Sequence, residues 1–501
     1  MQGFTYIVLV ILVVYLAAVL FAGLHFAKKE MKGKEYFKGD GTVPWWVTSV
    51  SIFATLLSPI SFLSLAGNSY AGTWIMWFAQ LGMLLAIPLT IKFFLPIYSK
   101  LDIDTAYHYL ELRFGSKGLR VLGAVMFIVY QIGRMSIIMY LPCMVLGSLT
   151  GINVNLLIII MGVIAIIYSY TGGLKSVLWT DFIQGSVLLI GVTFALIFLL
   201  AHLDGGIGAI FQAFATEHKF LAVDQPIFNP NIFKDSVFIM IVGAGFNTMG
   251  SYVSSQDIVQ RFTTTTDTKK LNKMMLTNGA LSIFIATVFY LIGTGLFVFY
   301  KQNALPPAAA QDQIFASYIA FELPVGVTGL LLAAIYAAAQ STLSTGLNSV
   351  ASSWTLDIQS SLSKKELGFE KETKIGQRVS LIVGIFAIVV AMVLANGGVK
   401  SAYEWFNGFM GLVLGILIGT FILGAFTKVA NTFGAVAAFI ASSAVMVYIK
   451  YFVPADQVTI WSYSIISIVV SLVVGIPASI IWRKVKGDTS VPAANTTIYN
   501  K

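Results

Sequence analysis

The stretch Ala337–Ser349 reads AAAQSTLSTGLNS. It lies inside an apolar segment yet carries five hydroxyl side chains: Ser341, Thr342, Ser344, Thr345 and Ser349. Read as a helix, Ala338, Ser341, Thr342 and Thr345 fall at i, i+3, i+4 and i+7 and share one face, with Ser344 and Asn348 beside it. Small residues let a second backbone come close, and hydroxyl oxygens can replace the water around a hard cation. The stripe therefore reads either as packing between helices or as an oxygen-rich face for sodium. The rest of the chain decides between the two.

The chain has 501 residues, of which 57% are hydrophobic and 11% charged. Its mean hydropathy is +0.84. Apolar runs long enough to cross a bilayer recur throughout, which predicts an all-α polytopic membrane protein with a single membrane domain over 1–487. The first span, 5–27, is followed by KKEMKGK without a small-residue cleavage site, so it is expected to remain as a helix. Twelve further spans are expected at 44–65, 72–98, 119–149, 152–171, 178–202, 236–262, 272–300, 323–350, 378–397, 402–427, 431–453 and 459–482. Residues 488–501, rich in Ser, Asn, Thr and Pro, read as a disordered tail.

Thirteen spans put the termini on opposite sides. With the N-terminus outside and the C-terminus cytoplasmic, 24 of the 31 lysines and arginines fall in inner loops, Arg113, Arg120 and Arg261 among them. That bias is the positive-inside signal. It accounts for the net charge of +9 and calls for no nucleic-acid partner. The single cysteine, Cys143, excludes a disulfide framework and a cysteine metal cluster. There is no GxxxxGK[ST] and no HExxH, and the four histidines fall at or near span ends without metal-ligand spacing.

Three features do not belong in hydrocarbon. Arg134, in YQIGRMSIIMYL, lies near the middle of the fourth span. An arginine there needs a buried carboxylate partner or a polar cavity in which its fork can hold a substrate carboxylate. Asp181, in TGGLKSVLWTDFIQG, opens the sixth span. It reads either as an interfacial carboxylate or helix cap, or as a cation ligand or proton carrier in a cytoplasmic-side vestibule. The third feature is interrupted backbone. Pro59, in SIFATLLSPISFLSLAG, removes a donor and frees carbonyls around Ala54 to Leu57. Gly243, Gly245 and Gly250, in GAGFNTMGSYVSS, predict an unwound stretch around Asn247. Two interrupted spans lie five apart, the pattern of an inverted-repeat secondary transporter whose broken helices line a midplane site.

TGGLKSVLWTDFIQG and AAAQSTLSTGLNS together resemble the sodium:solute symporter family. FATLLSPISF, QIGRMSIIMYL and SSQDIVQRF resemble its bacterial sialic acid transporter branch, and the resemblance covers roughly 5 to 485. It implies a leucine-transporter-like fold of two inverted five-helix repeats, 44–202 and 236–427, preceded by the helix 5–27 and followed by two helices over 431–482. It implies a first sodium site at the backbone oxygens of Ala54, Leu57 and Ala338 and the hydroxyls of Ser341 and Thr342. A second sodium site is implied at Asp181, Ser341, Ser344 and Thr345. Substrate contacts are implied at Ser58, Ser61, Gln80, Arg134, Phe246 and Asn247. The chain departs from the branch at Leu56, Pro59 and Ser61, where the branch has threonine, serine and threonine.

The expectation is a sodium-coupled symporter in a bacterial inner membrane, functional as a monomer. It would import a carboxylated sugar, sialic acid (N-acetylneuraminic acid), by alternating access. The alternatives are another solute of the same family, such as proline, a neutral sugar or a short carboxylate, and a membrane-embedded enzyme. Arg134 argues against a neutral sugar, and no nucleophile–base pair is visible for an enzyme.

Overall fold

The computed structural model describes residues 2–26, 34–39, 41–303, 313–363, 368–397, 402–454, 456–487 and 491–499. Every regular element among them is helical. The chain begins with α1 (Gln2–Phe26) and the short α2 (Lys34–Lys38), then α3 (Trp45–Leu56) and α4 (Pro59–Ala71). A 3₁₀ stretch, Trp74–Gly82, leads into α5 (Met83–Leu89), a π-helical turn at Thr90–Phe94 and α6 (Leu95–Leu101). Next come α7 (Ala106–Phe114), α8 (Lys117–Thr150), α9 (Val154–Ala201) and α10 (Gly206–Thr216). The second half holds α11 (Val237–Ser254), α12 (Gln256–Phe262), α13 (Thr268–Gln302), α14 (Ile314–Phe321) and α15 (Val325–Ser352). α15 continues through a π-helical segment, Ser353–Gln359, into α16 (Ser360–Leu362). Helices α17 (Phe369–Asn396), α18 (Ala402–Phe426), α19 (Thr432–Phe452) and α20 (Tyr463–Lys486) complete it.

Ten described helices are long and apolar enough to cross a membrane, eleven when the bent pair α3–α4 counts as one span. The expected thirteen is not reached by that measure. The expected spans 152–171 and 402–427 fall in α9 and α18, whose apolar stretches among the described residues are Val154–Ile167 and Val413–Phe426. Between the expected spans 152–171 and 178–202 lies a kink rather than a loop, since α9 runs through both. Gly173, with φ 53° and ψ −158°, turns the chain inside α9. A Cβ there would lie 2.5 Å from the Tyr36 carbonyl, so only glycine fits.

α15, which carries the hydroxyl stripe, is the most deeply enclosed of the candidate spans among the described residues. Every residue from Leu331 to Ser352 is buried. It packs against α9, α1, α8, α17 and α3. A polar stripe at the centre of a membrane bundle must find polar partners inside the protein, because lipid offers none.

Those partners come from two chain breaks. α3 and α4 meet at 64° across Leu57 and Ser58. Both residues are extended, Ser58 caps α4 by accepting from the Ser61 amide, and Pro59 takes the first helical position. The last carbonyls of α3 are thereby left outside its helical ladder. The second break lies at Ser255, again extended, between α11 and α12.

The second break corrects the expectation of an unwound stretch around Asn247. α11 is continuous from Val237 to Ser254. Its glycines serve close packing instead: a Cβ on Gly243 would lie 2.0 Å from the Trp461 carbonyl, and one on Gly245 would lie 3.1 Å from that of Gly82.

Two further expectations change. Residues 491–499 are not a free tail: the Tyr109 hydroxyl donates to the Thr496 carbonyl at 3.0 Å, and the Ile498 amide to the Ala425 carbonyl at 3.1 Å. Residues 488–490 and 500–501 lie outside the described residues. Arg113, Arg120 and Arg261, counted above with the loop charges, are buried. Arg113 donates to the carbonyls of Gly424, Thr427 and Ala430 at and beyond the C-terminal end of α18, where a cation meets unpaired acceptors. Arg120 bridges Glu111 at 2.9 Å and Asp357 at 2.7 Å.

Candidate cation and substrate sites

Where α15 crosses the end of α3, oxygens converge. The Ser341 hydroxyl donates to the carbonyls of Ala54 (3.1 Å) and Ala338 (3.2 Å). The Thr342 hydroxyl lies 3.1 Å from the Ala338 carbonyl and 3.5 Å from that of Thr55. This is a dense set of neutral oxygens, the donor chemistry a hard monovalent cation accepts. Four of the five residues expected at the first sodium site are brought together: Ala54, Ala338, Ser341 and Thr342. The fifth, Leu57, sits on the break itself and lines the neighbouring cavity. Thr55, absent from the expected set, joins through its carbonyl.

About one turn further along α15 lies a second cluster, built on Asp181. The carboxylate is fully buried in the middle of α9, not at an interface or a helix start. Its Oδ2 accepts from Ser51 (2.6 Å), Thr345 (3.1 Å) and Arg261 Nη2 (2.7 Å). Its Oδ1 accepts from Ser344 at 3.4 Å. Ser344 also donates to the Ser341 carbonyl at 3.1 Å, which links the two clusters. The four residues expected at the second sodium site therefore lie together, but a guanidinium is already among them. Arg261 also donates to the Thr345 hydroxyl (2.5 Å) and the Ser51 hydroxyl (2.9 Å). The hydroxyl that Leu56 lacks is supplied next door, since Thr55 Oγ1 lies 3.3 Å from Thr345 Oγ1.

Beside the first cluster is a polar cavity of about 220 Å³. Ser58, Ser61, Gln80, Arg134 and Asn247 all line it. Phe246 does not; it is partly buried against the core around α5, α11 and α18. Gln80 reaches the cavity from the 3₁₀ stretch, and Ser58 from the bend.

Arg134 is not waiting alone in this cavity. Its Nη1 lies 2.5 Å from Asp257 Oδ2 and its Nη2 donates to the Thr55 carbonyl at 2.7 Å. The expectation of an arginine with either a carboxylate partner or a cavity is met by both at once. Its Nε is buried without a partner among the described residues. Arg134 also ties the cavity to the cation cluster, because the Thr55 carbonyl belongs to both.

Sequence reasoning missed Asp257 and Arg261, which stand four apart on α12. The signal was present: SSQDIVQRF places two opposite charges inside the expected span 236–262. One turn of helix puts them on neighbouring surfaces, and the break at Ser255 turns α12 so that Asp257 faces Arg134 while Arg261 faces Asp181.

Comparisons with known proteins agree with this architecture. The model of the sodium:solute symporter family matches residues 36–442. The chain is 36% identical over 454 residues to the sodium/sialic acid symporter SiaT of Proteus mirabilis, covering 90% of this chain and 91% of that one. It is 31% identical over 476 residues to the sodium/sialic acid symporter NanT of Aliivibrio fischeri, covering 95% and 93%. Among solved structures, a substrate-bound, outward-open Na⁺-coupled sialic acid symporter superposes with a TM-score of 0.88 at 34% identity, covering 95% of this chain and 98% of that one. MHP1, a nucleobase-cation-symport-1 family transporter, superposes at 0.59 with 15% identity over 89% of this chain and 93% of that one, a likeness of fold alone. The fold is leucine-transporter-like. An all-helical bundle with a broken span, a buried hydroxyl stripe against the break, and a family match spanning most of its length shows that this chain belongs to the sodium:solute symporter family.

Proposed function

We propose that the protein is a sodium-coupled symporter that imports sialic acid by alternating access. It is a transporter, not an enzyme, and a multi-pass inner-membrane protein. The observation that carries the substrate reading is Arg134: a buried guanidinium on the wall of a polar cavity of about 220 Å³, with no geometric hydrogen bond at its Nε among the described residues. Its fork suits the substrate carboxylate, while Ser58, Ser61, Gln80 and Asn247 offer groups for hydroxyls and an amide. The relatives named for sodium/sialic acid symport support the same class of substrate.

Sodium enters as co-substrate. The first cluster (Ala54, Leu57, Ala338, Ser341, Thr342) holds it between α3 and α15, and the second (Asp181, Ser341, Ser344, Thr345) offers a further position. Binding between the bend and α15 favours one relative placement of the two, and coupling follows only if that placement also binds substrate better. The repeats are assigned to 44–202 and 236–427, with the N-terminus outside and the C-terminus cytoplasmic, supported by the skewed lysine and arginine distribution. The protein works as a monomer.

Arg134→Lys tests the reading. It keeps the charge and loses the fork, so sialic acid should bind about 30- to 150-fold more weakly, the worth of a charge-assisted bidentate contact. An alcohol analogue, with the carboxylate reduced, should be far less affected. Equal binding of acid and alcohol by the wild type would return the substrate to the neutral solutes of the family.

A further inference from the structure

The cavity is lined by one cation and one anion, Arg134 and Asp257; every other lining residue is neutral. Asp257 is fully buried. Its Oδ2 faces Arg134 Nη1 at 2.5 Å and its Oδ1 accepts from the Ser255 hydroxyl at 2.5 Å. Both sit at the α11–α12 break, and the Asp257 carbonyl also accepts from Arg261 Nη1. The charges on the cavity wall thus balance each other within the protein.

We propose that Asp257 is a specificity-determining residue: a resident counter-anion that shares the Arg134 guanidinium with the substrate carboxylate and thereby makes acid binding depend on sodium. This rests on the assignment of Arg134 as the carboxylate clamp. Without Asp257, a lone buried guanidinium would attract any small anion. With Asp257 present, an anionic substrate carries the cavity to a net negative charge, which a poorly solvated site resists. A cation between Ala54, Thr55 and Thr342 offsets that charge. It lies close by, because the Thr55 carbonyl accepts from Arg134 Nη2 at 2.7 Å and faces Thr342 Oγ1 at 3.5 Å. A second acidic group on the substrate has no cation left to meet, so the cavity favours a monocarboxylate over a dicarboxylate.

The proposal makes a prediction opposite to that of a purely structural role. If Asp257 only held the Arg134 side chain in place, Asp257→Asn would weaken acid binding. If it competes for the guanidinium, Asp257→Asn should strengthen it.

The experiment measures equilibrium binding of sialic acid and of its carboxylate-reduced alcohol to the purified full-length chain, wild type and Asp257→Asn, with and without sodium. The expected result is an acid-to-alcohol affinity ratio about tenfold or more higher in the variant, the scale of a shared charge contact. The variant should also retain acid binding when sodium is removed. A ratio that is unchanged or lower overturns the proposal. Should the variant fail to fold, the wild type decides: sodium should strengthen acid binding more steeply than alcohol binding, and parallel sodium dependences overturn it. A wild type that prefers acid while the variant ratio does not rise leaves the carboxylate clamp standing and removes only Asp257. A wild type that binds neither compound removes the substrate assignment and this proposal with it.

Discussion

Arg261 and Asp181 form a fully enclosed ion pair, Nη2 to Oδ2 at 2.7 Å, with neither side chain exposed. It ties α12 to α9 beside the hydroxyl stripe of α15, so the charge that any second cation would meet at Asp181 is already balanced from inside the protein.

Breaking one side of that pair should be costly. Asp181→Asn strands the guanidinium, for a loss on the order of 3–5 kcal/mol. Adding Arg261→Gln removes the stranded charge and should recover most of it. Thermal unfolding in detergent reads both, and the double-mutant cycle isolates the pair. A loss in the double variant equal to the sum of the losses in Asp181→Asn and Arg261→Gln alone would show that the pair is not coupled. Uptake by the refolded double variant then separates the two roles of Asp181: a sodium Hill coefficient equal to wild type would mean that the carboxylate serves structure alone.

The glycines of α11 give a contrast. Gly243→Ala drives a Cβ to 2.0 Å from the backbone carbonyl of Trp461, which cannot step aside. Gly279→Ala on α13 meets only the tip of Ile87 at 2.2 Å, which can rotate. The first substitution should cost about 1–3 kcal/mol and the second markedly less, read as loss of thermal stability. If α11 were unwound near Asn247, Gly243→Ala would be tolerated.

Lys219, in the loop after α10, donates to the carbonyls of Tyr70 (2.7 Å) and Gly72 (2.9 Å) at the C-terminal end of α4. Its Nζ lies 3.8 Å from the Phe297 ring centroid. Burial, and then the charge of Lys301, lower its pKa to about 8, against a small opposing pull from Glu217. A lysine lowered in the folded state binds fewer protons there than when unfolded, so stability rises as pH climbs from about 8 toward its ordinary value of 10.5. Lys219→Met should flatten that rise. Parallel pH profiles for the two proteins would rule the effect out.

Much of this was legible in the chain itself. Pro59 announces a break because it cannot donate, and Ser58 before it is a natural cap. Arg134 and Asp181 stand out because hydrocarbon does not tolerate charge. Their partners were hidden for a physical reason: Arg134 meets Asp257 across 123 positions and Asp181 meets Arg261 across 80. Such pairs are set by where α12 turns, not by local spacing. Glycine misled around Asn247 because it serves equally for a bend and for close packing. The docking of residues 491–499 left no trace in composition, since it rests on backbone carbonyls and amides meeting Tyr109 and Ala425.

The most direct test of the account is uptake of labelled sialic acid into proteoliposomes holding the purified protein. An inward sodium gradient should drive accumulation above the external concentration. Replacing sodium with potassium should abolish it, as should Ser341→Ala with Thr342→Ala in protein that still folds. Uptake that reaches only equilibrium, or that proceeds equally in potassium, would contradict sodium-coupled sialic acid symport.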